Sequence, residues 1–250
     1  MQAGVQESAA KESFLQMVRE ALGRNTPLLH VPDHPALKTT LPRHQEKVVT
    51  IQAKVETRRS TLAARLVETA TAAGWYVYRV ASENEAALKV GEIARGLGAR
   101  RAVRTNEDIF RRVDVDLALR NARVASIVLA AGRQRRRGEL RALALQADLG
   151  ISGVEYAVAE TGTCVVVPRR GIARMTTLTP SALIVLVEEA KVLENLDDLL
   201  AIWRLENLRT RGRMPNYMTL VSGPSRTADI EFTLTTGVHG PGRVYLVLIA

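Results

Sequence analysis

Apolar positions along this chain change their period several times, and each change marks an element. From Ser8 to Gly23, the residues Phe14, Met17, Val18, Ala21 and Leu22 recur at helical spacing, and Gly23 is placed to end the helix. The next stretch, Asn25 to Arg43, holds Pro27, Pro32, Pro35 and Pro42 without periodicity and reads as an extended linker. The first helix is therefore expected to be an arm, packed on the main body or on a neighbour. His30 and His34 lie in that linker, outside any helix, so their spacing does not predict a metal site. A second helix is expected from Arg59 to Ala73, burying Leu62, Leu66, Thr69, Ala70 and Ala73 and stopping at Gly74.

Trp75 to Val80 is aromatic and β-branched, which predicts a strand. Ser82 and Glu85 have the spacing of a capping box, opening a helix whose apolar face is Ala86, Val90, Ile93, Ala94 and Leu97. Arg101 to Arg104 and Val124 to Ala130 read as strands, and Glu139 to Asp148 as a helix that Gly150 ends. Val154, Tyr156 and Val158 then alternate with Glu155, Ala157 and Ala159. This strand closes in the polar turn Glu160-Thr161-Gly162-Thr163, and the apolar run Cys164 to Val167 leaves it at once. Leu183 to Val187 shows no alternation, the mark of a strand buried on both faces. Asp197 to Arg209 is a helix capped by Asn195 or Asp197, with Trp203 as a packing residue; Met218 to Val221 and Val244 to Ile249 are strands. The alternation predicts an α/β fold, a mostly parallel sheet flanked by helices, with an antiparallel element at the Gly162 turn and the helical arm before it. Residues 1–45 are expected to form the helix and Pro-rich linker, and 46–250 the main domain.

Composition narrows the chemistry. Forty-six per cent of the 250 residues are hydrophobic and few are aromatic, so the core is built of Val, Leu, Ala and Ile. The longest apolar runs, Ile127 to Ala131 and Leu183 to Val187, are too short to span a bilayer, and the start, Met1 to Lys11, is polar. The cytoplasm is the expected compartment. Cys164 is the only cysteine, which excludes an intrachain disulfide, a Cys-built zinc site and an iron–sulfur cluster within this chain. No HExxH, CxxC, Walker A or strand-borne GxGxxG sequence is present.

The formal charge of +9 is concentrated: from Arg95 to Arg141 there are 13 arginines, no lysines and 5 acids. The densest part, Arg133 to Arg137, is a solvated loop in the plain reading, and otherwise a surface for an acidic partner, a polyanion or nucleic acid. No aromatics interleave with these arginines, which argues against single-stranded nucleic acid.

Two loops carry the candidate chemistry. The turn at Glu160 offers a carboxylate, the hydroxyls of Thr161 and Thr163, and Gly162 for close backbone approach. The strand at Met218 runs into Ser222-Gly223-Pro224-Ser225-Arg226-Thr227-Ala228-Asp229-Ile230-Glu231, which brings more hydroxyls and a guanidinium able to fork a carboxylate or phosphate. Together they suggest one anion cradle of Thr161, Gly162, Thr163, Ser222, Gly223, Ser225, Arg226 and Asp229 at the carboxyl ends of the strands, with Glu160 as base or hydrogen-bond acceptor. The plainer readings are an ordinary hairpin for the first loop, a Glu160 carboxylate bonded to backbone N–H groups, and an ion pair of Arg226 with Asp229 or Glu231.

Gly150 to Thr163 (GISGVEYAVAETGT), Ser222 to Glu231 (SGPSRTADIE) and Gly237 to Pro241 (GVHGP) stand in the order and spacing of three signatures of the LUD (lactate utilization) domain family, and resemble them most closely in its lactate utilization protein C branch. The resemblance is sharp from about Asp148 onward. It implies a fold like that of the sugar-phosphate isomerases and CoA transferases (NagB/RpiA/CoA transferase-like) and a part in oxidising L-lactate to pyruvate. It also implies two partners, the iron–sulfur lactate utilization proteins A and B, which carry the clusters, with no cofactor in this chain itself. A homo-oligomer is compatible with it. His239 in the third signature is a candidate catalytic residue, and Leu183 stands where many relatives have a histidine. The alternative is a stand-alone enzyme, isomerase-like or CoA-transferase-like, with Glu160 as base or nucleophile.

Overall fold

A computed structural model describes residues 2–23, 40–130, 137–169, 171–210, 213–215, 217–227 and 235–250, with backbone alone for 2–10. The chain separates into two units, Met1–Thr40 and Leu41–Ala250. The first contains helix α1 (Gln2–Ala21), on which Phe14, Met17 and Val18 are exposed. Gly23 has φ +65° and donates its N–H to Glu20 O at 3.0 Å, the glycine stop expected there.

The second unit begins with α2 (Leu41–Ala73), then β1 (Tyr76–Val80), α3 (Glu83–Gly96) and β2 (Arg101–Arg104). After these come α4 (Val115–Asn121), β3 (Ala125–Val128), α5 (Arg137–Leu145) and β4 (Leu149–Gly153). The hairpin β5 (Tyr156–Val158) and β6 (Thr163–Val166) precedes α6 (Met175–Leu178), β7 (Ala182–Glu188) and β8 (Val192–Leu193). The chain closes with α7 (Leu196–Arg209), β9 (Thr219–Val221), β10 (Arg226–Thr227), β11 (Thr235–Thr236) and β12 (Arg243–Ile249).

Six strands form one wholly parallel sheet in the order β1-β12-β7-β4-β2-β3. The unalternating run on β7 is explained by burial on both faces. Leu183, Val185 and Val187 pack with Leu62, Leu66 and Ala70 of α2, with the β5–β6 hairpin and with Leu199 of α7. Ile184 and Leu186 point the other way, into a core with Val90 of α3 and Leu119 of α4. Each of these leucines is almost wholly buried, which contributes about 1.5–3 kcal/mol apiece. Among the described residues, no helix is long and apolar enough to cross a membrane.

Four expectations change. Helix α2 starts at Leu41, not Arg59; its first half buries His44, Val48, Ile51 and Val55 at helical spacing, and Pro42 sits in the first turn, where its missing N–H costs nothing. Gly150 ends no helix. It lies within β4, where an added Cβ would come 2.0 Å from Thr176 O. Helix α4, between β2 and β3, was not expected; Asp114 caps it by accepting from Leu117 N at 3.0 Å. Finally, β9 belongs to a second sheet, β8-β5-β6-β9, so the Ser222 loop does not sit at the carboxyl ends of the parallel strands. The Ser82 cap holds: Glu85 N donates to Ser82 Oγ at 3.3 Å, while the Glu85 carboxylate accepts from Ala81 N at 2.8 Å.

Candidate functional site

The Glu160 turn closes the β5–β6 hairpin and is pressed against α2. Gly162 has φ +64°, and a Cβ there would lie 2.6 Å from the backbone N and Cα of Ala70, so only glycine fits. Thr69 Oγ1 fastens the turn by donating to Ala159 O at 2.7 Å. Thr163 is buried, and its Oγ1 lies 2.7 Å from both Thr161 Oγ1 and Ser222 Oγ. That chain of hydroxyls joins the first signature to the second.

The second signature in turn holds the third. Ser225 N donates to Pro241 O at 2.9 Å, Ser225 O accepts from Gly237 N at 2.9 Å, and Ser225 Oγ accepts from His239 N at 3.1 Å. The side chains of Arg226 and His239 are exposed. The Arg226 guanidinium passes over the end of α2, where a Cβ on Gly74 would come 2.6 Å from its Nη2. Gly223 meets the same helix end, its added Cβ 2.5 Å from Ala73 O. A cation beside the last carbonyls of a helix is favoured by the helix dipole.

Glu160 faces a different way. It lines an open pocket of about 430 Å³ with Arg58, Thr61, Leu62, Arg65, Ala159, Glu194 and Asn195. Arg58, Thr61 and Arg65 share one face of α2 through their spacing. Glu194 is paired with Lys54 and, at 2.6 Å, with Arg58, and hydrogen bonds from Lys54 first and Arg58 next hold its carboxyl below the usual range. Arg65 has a loose contact of 3.6 Å with Glu68. The pocket thus pairs a lightly engaged guanidinium and a hydroxyl with an exposed carboxylate.

One acidic residue that the sequence did not single out stands at the carboxyl edge of the parallel sheet. Strand β2 leads through α4 to β3 on one side, whereas β4 leads on to β7 on the other, so the crevice between β2 and β4 is a topological switch point. Glu107, three residues beyond β2, is in it. Its Oε1 accepts from Ser152 Oγ at 3.2 Å, and Oε2 is buried without a hydrogen bond of good geometry. A Cβ on Gly153 would lie 3.3 Å from Glu107 Cβ and Cδ, so β4 ends in glycine where this side chain packs. Burial pushes the Glu107 carboxyl above the usual carboxylate range, against the Thr105 hydroxyl and nearby backbone N–H groups that favour its charge. Thr105-Asn106-Glu107 directly after a strand was the available signal.

The profile of the LUD domain matches residues 63–249. The chain belongs to the LUD domain family. Among curated relatives, the lactate utilization protein C of Halalkalibacterium halodurans is 33% identical over 104 residues, covering 42% of this chain and 45% of that protein. Its counterpart in Bacillus subtilis is 33% identical over 105 residues (42% and 43%), and that of an Exiguobacterium species 36% over 110 residues (44% and 47%). The chain thus spans less than half the length of the curated relatives it matches. A crystal structure of a DUF162 family protein from Deinococcus radiodurans aligns with 77% of this chain and 98% of that one, at 20% identity and a TM-score of 0.49.

Within this LUD domain the three signatures meet, and Arg226 is not among the residues lining the pocket that Glu160 enters. Asp229 and Glu231, like most of the Arg133 to Arg137 loop and both linker histidines, lie outside the described residues. Cys164 is buried among apolar side chains, and burial pushes its thiol far up. Among the described residues, no group of three or more His, Cys, Asp and Glu side chains is placed to hold a metal ion.

Proposed function

We propose that this LUD domain protein serves in lactate utilization as a component of an L-lactate oxidation system, binding an anionic ligand beside the Glu160 turn. The relatives named lactate utilization protein C support the role. The observation that carries the site is the placement of Glu160 opposite Thr61 and Arg65 in one pocket, on a turn braced by the Thr161–Thr163–Ser222 hydroxyl chain. Arg65 meets the charge of the ligand, Thr61 donates to it, and Glu160 accepts from a hydroxyl or N–H group. Thr161, Gly162, Thr163, Ser222, Gly223 and Ser225 hold the turn in register, with Arg226 over the end of α2. Electrons from lactate pass to iron–sulfur clusters in two cytoplasmic partner proteins, the arrangement that the family resemblance implies; the one cysteine of this chain is buried.

The test is growth on L-lactate of a bacterium deleted for its lactate utilization protein C. Wild-type protein restores growth, and Arg65→Ala or Glu160→Gln does not, at equal protein levels. Equal rescue by the variants, or no rescue by wild type, would overturn the proposal. Turnover of an acyl-CoA by the isolated protein, with a glutamyl adduct at Glu160, would instead establish the CoA-transferase-like reading.

A further inference from the structure

The parallel sheet sorts the arginines of residues 95–141 to its two ends. Arg104, Arg111 and Arg112 stand toward the carboxyl ends of the strands, and each meets an acid: Asp116, Asp108 and Glu188 in turn. Arg95, Arg100, Arg101, Arg120 and Arg123 stand at the amino ends, where α3 and α4 finish and β2 and β3 begin. All five are exposed, and none has an ion pair among the described residues. Backbone bonds knit them into one surface: Arg100 O accepts from Ala125 N and Arg101 O from Asp148 N, both at 2.9 Å. Asp148 faces Arg100 and Arg101 and offsets one of the five charges, its Oδ2 accepting their backbone N–H groups at 2.8 and 2.9 Å. The surface stays strongly basic.

Arg123 marks this surface a second way. It has φ +61°, the one non-glycine residue with positive φ among the described residues. Helices α3 and α4 end here by the same pair of turns. Gly98 N donates to Arg95 O and Ala99 N to Ala94 O, while Arg123 N donates to Arg120 O and Val124 N to Leu119 O. Helix α3 has glycine, φ +64°, at the left-handed position; helix α4 has an arginine there and carries the strain. The helix dipoles account for Arg95 and Arg120 in the last turns, but they do not require a strained residue at 123. Strain of this kind persists where the side chain serves a function.

We propose that this surface docks an acidic protein, with Leu145 as the apolar anchor among the arginines. Leu145, the last residue of α5, is 60% exposed at the same end of the sheet. It adjoins Gln146, whose Oε1 accepts from Arg101 Nη1 at 2.8 Å. Arginine suits such a contact, because its planar guanidinium forks a carboxylate and it is enriched at protein interfaces. An apolar anchor inside a basic rim fits a protein partner, and segments 95–101, 120–125 and 145–148 hold no aromatic on which a base could stack. The surface shares no residue with the Glu160 pocket and does not depend on it.

The probe is a synthetic peptide of glutamates around one leucine, titrated into the whole protein and followed by amide NMR at about 0.15 M salt. It should shift the amides of Gly98, Arg100, Arg123 and Gln146. Arg123→Gly should bind it at least threefold more weakly while its melting temperature equals or exceeds that of wild type, since glycine relieves the left-handed backbone. Leu145→Ser should also weaken binding at least threefold, and Arg111→Glu, at the other end of the strands, should leave it unchanged. Unmoved amides in the wild type, equal affinity in Arg123→Gly or Leu145→Ser, an equal loss in Arg111→Glu, or a lowered melting temperature of Arg123→Gly would overturn the proposal. So would a DNA duplex that binds more tightly than the peptide in the same salt, which would assign the surface to nucleic acid. Because Arg65→Ala and Glu160→Gln should leave peptide binding unchanged, failure of this surface and failure of the Glu160 pocket are read separately.

Discussion

The Thr163 and Ser222 hydroxyls lie 2.7 Å apart, although 59 residues separate them in sequence. This contact ties two family signatures into one surface, and Thr163 contributes it from a buried position. A double-mutant cycle of Thr163→Val and Ser222→Ala should show a coupling of about 0.5–1.5 kcal/mol in urea unfolding. Strict additivity of the two losses would mean that the hydroxyls do not interact in solution.

Gly162→Ala should be far more costly. The left-handed backbone and the 2.6 Å approach to Ala70 both oppose a methyl group, so a stability loss of about 2–4 kcal/mol is expected. A change in urea midpoint equivalent to less than about 1 kcal/mol would show that the turn stands off from α2.

Arg226→Ala should cost only about 0.3–1 kcal/mol, the scale of a cation at a helix C-terminus, because the side chain is exposed. Thermal unfolding measures this. A loss of several kcal/mol would point to a buried ion pair.

Two carboxyls should give stability opposite pH dependences. Asp116 is held below the usual range by hydrogen bonds from Arg104 at 2.7 Å and then Ser126, against burial, so its contribution is full above its unfolded pKa of about 3.9 and is lost as pH falls through the folded value. Asp116→Asn should therefore destabilise at neutral pH and matter little in strong acid. Glu107 is raised by burial, so the stability linked to its proton is full below its unfolded value and is lost as pH rises through the folded one. Glu107→Gln should accordingly be more stable than wild type at pH of about 7.5 and equal to it near about 4. Urea midpoints across that range check both, and parallel curves for Glu107→Gln and wild type would refute the buried acid.

The legible parts of this molecule were those governed by local pattern. The run from Leu183 to Val187 announced a strand buried twice over, and Ser82 with Glu85 announced a helix start, since both signals sit within a few residues. The first half of α2 was hidden because Pro42 resembles linker punctuation, although a first-turn proline is tolerated. Helix α4 is only seven residues long, too short to display a period. That the Glu160 hairpin and β9 form their own sheet follows from non-local pairing, Cys164 with Val221, which no local pattern carries. The burial of Glu107 likewise depends on Gly153 across the crevice.

The most direct measurement is L-lactate oxidation by this protein reconstituted with the two iron–sulfur proteins proposed as its partners and an electron acceptor. Pyruvate should form only when all three are present, and Arg65→Ala should reduce the rate by at least tenfold with its melting temperature unchanged. Full activity without this protein, or with Arg65→Ala in its place, would contradict the proposed role.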